Sequence, residues 1–329
     1  TSNLLDVDIS NIDDVLISLI MDKSIYVERC EDCNRVYLNS FYNAEHGVCG
    51  RLFDLSTVEF NGNLNDFDEK IKAIQVKEGI ELADKQIEAV REALINGVLV
   101  ITGGPGTGKT TIIKTIISLL DGEGYEVALA APTGRAAKRM TEATGYEAKT
   151  IHRLLEIGYA GDEDQLVFMK TEANPIEADV VIIDEMSMVD ILLMNNLLKA
   201  VACGTRLILV GDVDQLPSVG AGNVLCDIIK SGVIKTVKLT EVFRQAQESM
   251  IVVNAHRINR GEQAILNNSD KDFFLVSRNS PMEIAKTILE LCNTRIPKSY
   301  GFQPMKDIQI LTPMRKGMVG VSNLNKELQ

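Results

Sequence analysis

The rhythm of apolar and polar positions changes near Leu82. Before it the pattern is weak. Helical spacing is visible over residues 12–21 and 42–55 and strand spacing over 25–28, and the Asn-Gly-Asn-Leu-Asn run at 61–65 reads as a turn or linker. Beyond it, short unbroken apolar runs alternate with amphipathic stretches. The pattern predicts strands at 98–102, 127–131, 180–184 and 207–211, and helices at 109–120, 135–143 and 190–200. Runs that are apolar at every position fit strands buried on both faces, so the expected fold is α/β, a parallel sheet flanked by helices. After Leu239 the alternation resumes, with helices at 249–259, at 281–292 and from 322, and strands at 273–276 and 308–311. The organisation expected from this is an N-terminal accessory domain over 1–75 (α/β or helical), a complete lobe over 76–238 and a partial second lobe over 239–329.

Composition adds exclusions. A chain of 329 residues with 45% apolar and 24% charged residues has the makeup of a globular protein, not of a disordered one. No apolar run approaches the ~18–20 residues of a membrane-spanning helix, and no secretory signal opens the chain. The six cysteines then read as reduced thiols of a cytoplasmic protein. Thr1 in place of a methionine, and an amphipathic pattern still running at Gln329, suggest a fragment. The net charge of −12 argues against a nucleic-acid coat protein. It leaves room for a local basic track. Residues 130–155 carry five basic and two acidic side chains, whereas 54–92 carry ten acidic and five basic. By charge alone that excess is also what a solvated helix face would show.

The strongest motif is Gly103-Gly104-Pro105-Gly106-Thr107-Gly108-Lys109-Thr110, followed by Thr111. It fits the phosphate-loop pattern at every required place, between an apolar strand and a helix. Its glycines let backbone N–H groups turn toward phosphate oxygens, at the positive end of the following helix. Lys109 is expected to reach the terminal phosphates of ATP, and the Thr110 hydroxyl to bind Mg²⁺. The strand at 180–184 ends in Asp184-Glu185, at the edge where open parallel sheets hold their ligands. Asp184 would help hold the metal and Glu185 would take the proton of the attacking water. The alternative is a solvated acidic pair at a helix start. Gln215, in Gly-Asp-Val-Asp-Gln-Leu-Pro, could bond the γ-phosphate or that water. Arg244, in Leu-Thr-Glu-Val-Phe-Arg-Gln, could stabilise transition-state charge from across a cleft.

These segments, with Ala-Pro-Thr-Gly-Arg-Ala-Ala at 131–137, Thr-Ile-His-Arg-Leu-Leu at 150–155, Ile-Ile-Asp-Glu-Met-Ser-Met-Val-Asp at 182–190 and Thr-Pro-Met-Arg-Lys-Gly at 312–317, resemble superfamily 1 DNA helicases. The match is to the RecD-like branch, which includes the exodeoxyribonuclease V alpha subunit, and it runs from about residue 82 to the end. The resemblance implies two RecA-like lobes driven along single-stranded DNA in the 5′ to 3′ direction by ATP hydrolysis, in recombination and repair. It implies that Gln86 reads adenine, that Lys109, Thr110, Asp184, Glu185, Gln215 and Arg244 act at the ATP site, and that Pro132, Thr133, Arg135, Thr150 and His152 lie along DNA. The family's later second-lobe motifs are absent, so this stretch is expected to bind nucleotide yet unwind poorly by itself. Any nuclease chemistry would come from partner subunits. Other readings of the same residues are a clamp-loader-like ATPase and an ATP-bound scaffold of a recombination complex.

Cys30-x2-Cys33-x12-His46-x2-Cys49 has a spacing that could hold zinc, although His46 and Cys49 also fall on a predicted helix that needs no metal. Cys203, Cys226 and Cys292 are expected to be buried as small apolar residues.

Overall fold

The computed structural model describes residues 9–31, 33–58, 60, 66–160, 165–241, 249–266 and 272–328. The chain divides into two compact units, with the boundary between Gln263 and Ala264.

The first unit opens with helix α1 (Ile9–Met21) and a β1–β2 hairpin (Ile25–Arg29 and Asn34–Leu38), then α2 (Asn39–Ser56), α3 (Phe67–Glu78) and α4 (Asp84–Ile95). Next come β3 (Val98–Gly103), α5 (Lys109–Gly122), β4 (Val127–Ala131), α6 (Gly134–Thr144), β5 (Ala148–Thr150) and the single turn α7 (Ile151–Leu154). A small β6–β7 hairpin (Ile157–Ala160 and Gln165–Phe168) precedes β8 (Val180–Ile183), α8 (Ile191–Ala200), β9 (Arg206–Gly211), α9 (Val224–Ser231), β10 (Lys235–Leu239) and α10 (Met250–Asn259).

Six strands form one parallel sheet in the order β10-β3-β9-β8-β4-β5. The expected α/β class and the four strands read from apolar runs are therefore present. Alternate residues serve opposite faces. Val98, Val100, Val181, Ile183, Leu207 and Leu209 point to one side, where α2, α8 and α9 cover them. Leu99, Ile101, Val180, Ile182, Ile208 and Val210 point to the other, under α3, α4, α5 and α6. Burial on both sides is why these strands read as unbroken apolar runs.

The segment expected to be accessory supplies part of this core. Val48, Leu52 and Leu55 of α2 pack on the sheet, and Phe67 and Ile71 of α3 lie under its other face. The α2 end is close enough to the sheet that a Cβ on Gly97 would lie 2.0 Å from the Leu55 carbonyl oxygen. At the sheet end away from the loop, the Arg206 guanidinium lies between the Phe60 and Tyr125 rings, at 4.3 and 4.7 Å from their centroids.

The second unit holds α11 (Pro281–Glu290), a π-turn over Leu291–Arg295, and helices α12 (Ile296–Tyr300), α13 (Pro304–Asp307) and α14 (Val321–Leu328). The strands expected at 273–276 and 308–311 do not form: neither segment pairs in a sheet among the described residues. Phe274, Leu275, Val276 and Leu311 are exposed. A short apolar run becomes a parallel strand only where a sheet edge runs alongside it, and neither segment joins a sheet among the described residues.

The cysteines also correct the expectation. Cys292 is buried, and burial pushes its thiol pKa up; Cys226 is half-buried and Cys203 is exposed. Cys30 and Cys33 close the β1–β2 turn, where Cys30 N–H donates to the Cys33 carbonyl (3.1 Å). His46 on α2 instead packs its ring 4.4 Å from that of Tyr42. Among the described residues no group of three or more His, Cys, Asp or Glu side chains is arranged to hold a metal ion. No helix among them is long and apolar enough to cross a membrane.

Candidate active site

Because the six strands are parallel, all their C-terminal ends emerge on one edge. Read across the sheet, this edge presents Leu239, the phosphate loop, Asp212 to Gln215, Asp184 with Glu185, residues 132–135 and residues 150–153. The sequence motifs thus meet in space although they span more than a hundred residues.

The loop after β3 is folded by its own contacts. Gly106 and Gly108 have φ of 76° and 81°, a left-handed conformation that glycine adopts without penalty. Gly103 must lack a side chain, since a Cβ there would lie 2.7 Å from Thr107 Oγ1 and 2.9 Å from Leu239 Cβ. The Thr107 hydroxyl donates to the Gly104 carbonyl (2.9 Å), and Lys109 Nζ donates to the carbonyls of Gly103 (2.6 Å) and Gly104 (3.1 Å). Gln86, assigned by resemblance to adenine, is buried against the loop. Its Nε2 donates to the Thr107 carbonyl (3.0 Å), and its Oε1 accepts from Ala83 N–H (3.0 Å) at the start of α4.

On β8, Asp184 N–H continues the ladder to the Ala130 carbonyl (2.9 Å), and Glu185 N–H donates to Asp184 Oδ1 (2.8 Å). Burial, with a contribution from the Glu185 charge, raises the Asp184 pKa from 3.8 to about 6. The Glu185 N–H, Lys109 and Arg139 oppose that rise, which places Asp184 within electrostatic reach of the loop lysine. Glu185 has φ 54° and ψ 41°. A left-handed conformation at a non-glycine residue costs about 1 kcal/mol and occurs often at functional sites. Ser187 Oγ donates to Gln215 Oε1 (3.4 Å), linking the acidic pair to the segment after β9. That segment is braced by Val213 N–H on Thr102 Oγ1 (3.4 Å) and Asp214 N–H on Asp212 Oδ1 (3.1 Å). Arg244 lies outside the described residues.

Farther along the edge, β4 and β5 run side by side with Ala131 opposite Thr150, so the two segments expected along DNA start as neighbours. Thr133 Oγ1 accepts from Ala136 N–H (3.2 Å) and caps α6, while Thr150 Oγ1 accepts from Arg153 N–H (3.1 Å) and caps α7. Both threonines have a structural use that the motif reading had not assigned. Arg135 and His152 are exposed, and Pro132 is half-buried.

A cavity of about 360 Å³ adjoins the loop, lined by Gly104, Pro105, Thr107, Asp212, Gln215 and, from α10, His256. Sequence reasoning predicted the helix but missed the histidine, because nothing in its spacing signals contact with a loop some 150 positions away.

The model of the AAA domain family matches residues 81–276, which contain the loop, the acidic pair and the Gln215 segment. The chain belongs to the AAA domain family. Nucleotide use follows from that membership. Among named relatives, the chain is 36% identical over 296 residues to the ATP-dependent RecD2 DNA helicase of Deinococcus radiodurans, covering 90% of this chain and 38% of that one. It is 30% identical over 334 residues to the RecBCD enzyme subunit RecD of Mycobacterium tuberculosis, covering 91% and 56%. The chain therefore spans between about two fifths and three fifths of the length of these relatives. The crystal structure of the Pif1 helicase from Candida albicans aligns with a TM-score of 0.42 and 26% identity, over 65% of this chain and 48% of its own.

Proposed function

We propose that this chain is the ATP-hydrolysing motor portion of a RecD-like DNA helicase, acting in the cytoplasm in DNA recombination and repair. The observation that carries this reading is the shared sheet edge. Lys109, Asp184, Glu185 and Gln215 gather at its centre, and the 132–135 and 150–153 segments leave the adjacent strands. The similarity to RecD2 and RecD supports it.

In this reading the loop N–H groups and Lys109 bind the phosphates of ATP, and Glu185 accepts the proton of the water that attacks the γ-phosphate. Gln215 orients that water, and its contact with Ser187 ties it to the acidic pair. Arg244 is proposed to complete the charge stabilisation. Mg²⁺ would be held by Thr110 and Asp184, supplying charge neutralisation at the phosphates. The donor set fits a hard divalent ion, and a cation would relieve the burial that raises the Asp184 pKa. Pro132, Thr133, Arg135, Thr150 and His152 would follow a single strand, moving 5′ to 3′, with phosphate contacts that weaken as salt rises. The organisation proposed is an N-terminal segment over 1–75 whose α2 and α3 help close the sheet, a motor lobe over 76–238 and part of a second lobe over 239–329, with nuclease-bearing subunits as candidate partners.

The test is ATP turnover with and without single-stranded DNA, for the wild type and K109A. DNA-stimulated turnover that is lost in K109A supports a motor. Nucleotide binding with no turnover in either condition would favour an ATP-bound scaffold of a recombination complex instead.

A further inference from the structure

Among the described residues three buried side-chain polar atoms have no hydrogen-bond partner, Asn195 Oδ1, Arg206 Nε and His256 Nε2, and the last of them lies against the phosphate loop. His256 on α10 sets its ring against the phosphate loop: a Cβ on Gly104 would lie 2.7 Å from His256 Cε1 and 3.5 and 3.6 Å from its two ring nitrogens. His256 Nε2 is buried and has no hydrogen-bond partner among the described residues. A buried donor or acceptor left unpaired is costly, and packing alone would be served as well by a purely apolar ring. The missing partner is therefore best sought in what the site binds.

The geometry indicates which part of the nucleotide that is. A phosphate-loop lysine reaches the β- and γ-phosphates. Lys109 Nζ rests on the carbonyls of Gly103 and Gly104, so this stretch of the loop marks the terminal-phosphate end. His256 faces Gly104 itself and shares the cavity with Gln215. Both the Nε2–H tautomer and the imidazolium donate from Nε2, so either form can bond a phosphate oxygen.

We infer that His256 is a positioning residue that senses the terminal phosphate. With ATP bound, Nε2–H hydrogen-bonds a γ-phosphate oxygen, directly or through one water, and holds α10 on the loop; with ADP that bond is lost. The helix ends at Asn259 and the second compact unit begins at Ala264, so the sensing element leads directly out of the unit that holds the nucleotide. This inference rests on the proposed ATP site and gives that site a nucleotide-state readout.

The test compares affinities of the full chain for ADP and for ATPγS with Mg²⁺ present, in the wild type, H256F and H256A. H256F keeps the ring volume and removes both nitrogens. Its ADP affinity should stay within about twofold, while ATPγS affinity falls about tenfold, the scale of one lost hydrogen bond to a charged group. A second readout does not depend on the variants folding. The chain has three histidines, and in ¹⁵N-histidine-labelled wild type one Nε2 resonance should move with ATPγS and stay in place with ADP. Equal losses for both nucleotides, an unchanged preference, or no ATPγS-specific shift overturns the inference and leaves the ATP site standing. If the wild type binds neither nucleotide, the ATP site falls and the inference falls with it.

Discussion

Replacing Gln86 with alanine separates two roles for one side chain: reading the adenine base and holding the phosphate loop. Gln86 is 2% exposed, and its amide joins the first turn of α4 to the loop through two hydrogen bonds of 3.0 Å. In Q86A the Thr107 carbonyl loses this partner. Thr107 is itself 2% exposed, so an orphaned acceptor there costs about 1–3 kcal/mol. Ala83 N–H loses its capping acceptor, at a further cost of about 1 kcal/mol. The sum is a loss of about 2–4 kcal/mol in the nucleotide-free protein, measurable by urea denaturation. Because the loop recognises phosphates, affinities for ADP and GDP should fall together. Q86E, which keeps the acceptor but sets a buried carboxylate against the Thr107 carbonyl, should be at least as destabilised near neutral pH. The reasoning is refuted if nucleotide-free stability is unchanged while the preference for ADP over GDP collapses, since Gln86 would then read the base alone.

Three other outcomes follow from the geometry. Folded Asp184 holds its proton to about pH 6 against 3.8 when unfolded, so in metal-free protein the folded state binds more protons in that window and stability is lost as pH rises through it. The loss reaches about 3 kcal/mol at ~1.36 kcal/mol per pH unit. In EDTA, D184N should therefore be more stable than wild type at pH 8 by up to that amount, and by roughly half as much at pH 5; an advantage independent of pH would contradict the assignment. G97A should destabilise the first unit by at least about 2 kcal/mol in thermal melts, because its Cβ would meet the Leu55 carbonyl oxygen at 2.0 Å and backbone cannot yield as a side chain does. E185Q should retain ATP binding and lose about 100-fold or more in turnover, as expected for removal of a general base; turnover near the wild-type rate would move the base elsewhere.

The legible parts of this fold are those whose physics is local. β3, β4, β8 and β9 could be read because strands buried on both faces must be apolar at nearly every position. Several elements of the same unit escaped, β10 and α4 among them. β10, Lys-Thr-Val-Lys-Leu, is an edge strand with only Val237 and Leu239 buried, and α4 carries a mixed pattern because one of its buried positions is the polar Gln86. The opposite error occurred at 273–276 and 308–311, where apolar runs of strand length do not pair in a sheet among the described residues.

The site divides in the same way. From the residues alone, the phosphate loop was determined: glycines where the backbone turns left-handed, a lysine and a threonine at fixed offsets, and an acidic pair at the end of an apolar run. Such features depend on dihedral preferences and spacing within a few residues, which sequence records directly. Only the tertiary structure decided that α2 closes one face of the sheet, that the segments carrying Thr133 and Thr150 leave adjacent strands, that Gln86 braces the loop, and that His256 faces Gly104. Each of these is a contact between segments distant in the chain. It exists because a parallel sheet brings every strand's C-terminal end to one edge, and no local pattern encodes which distant side chains will meet there.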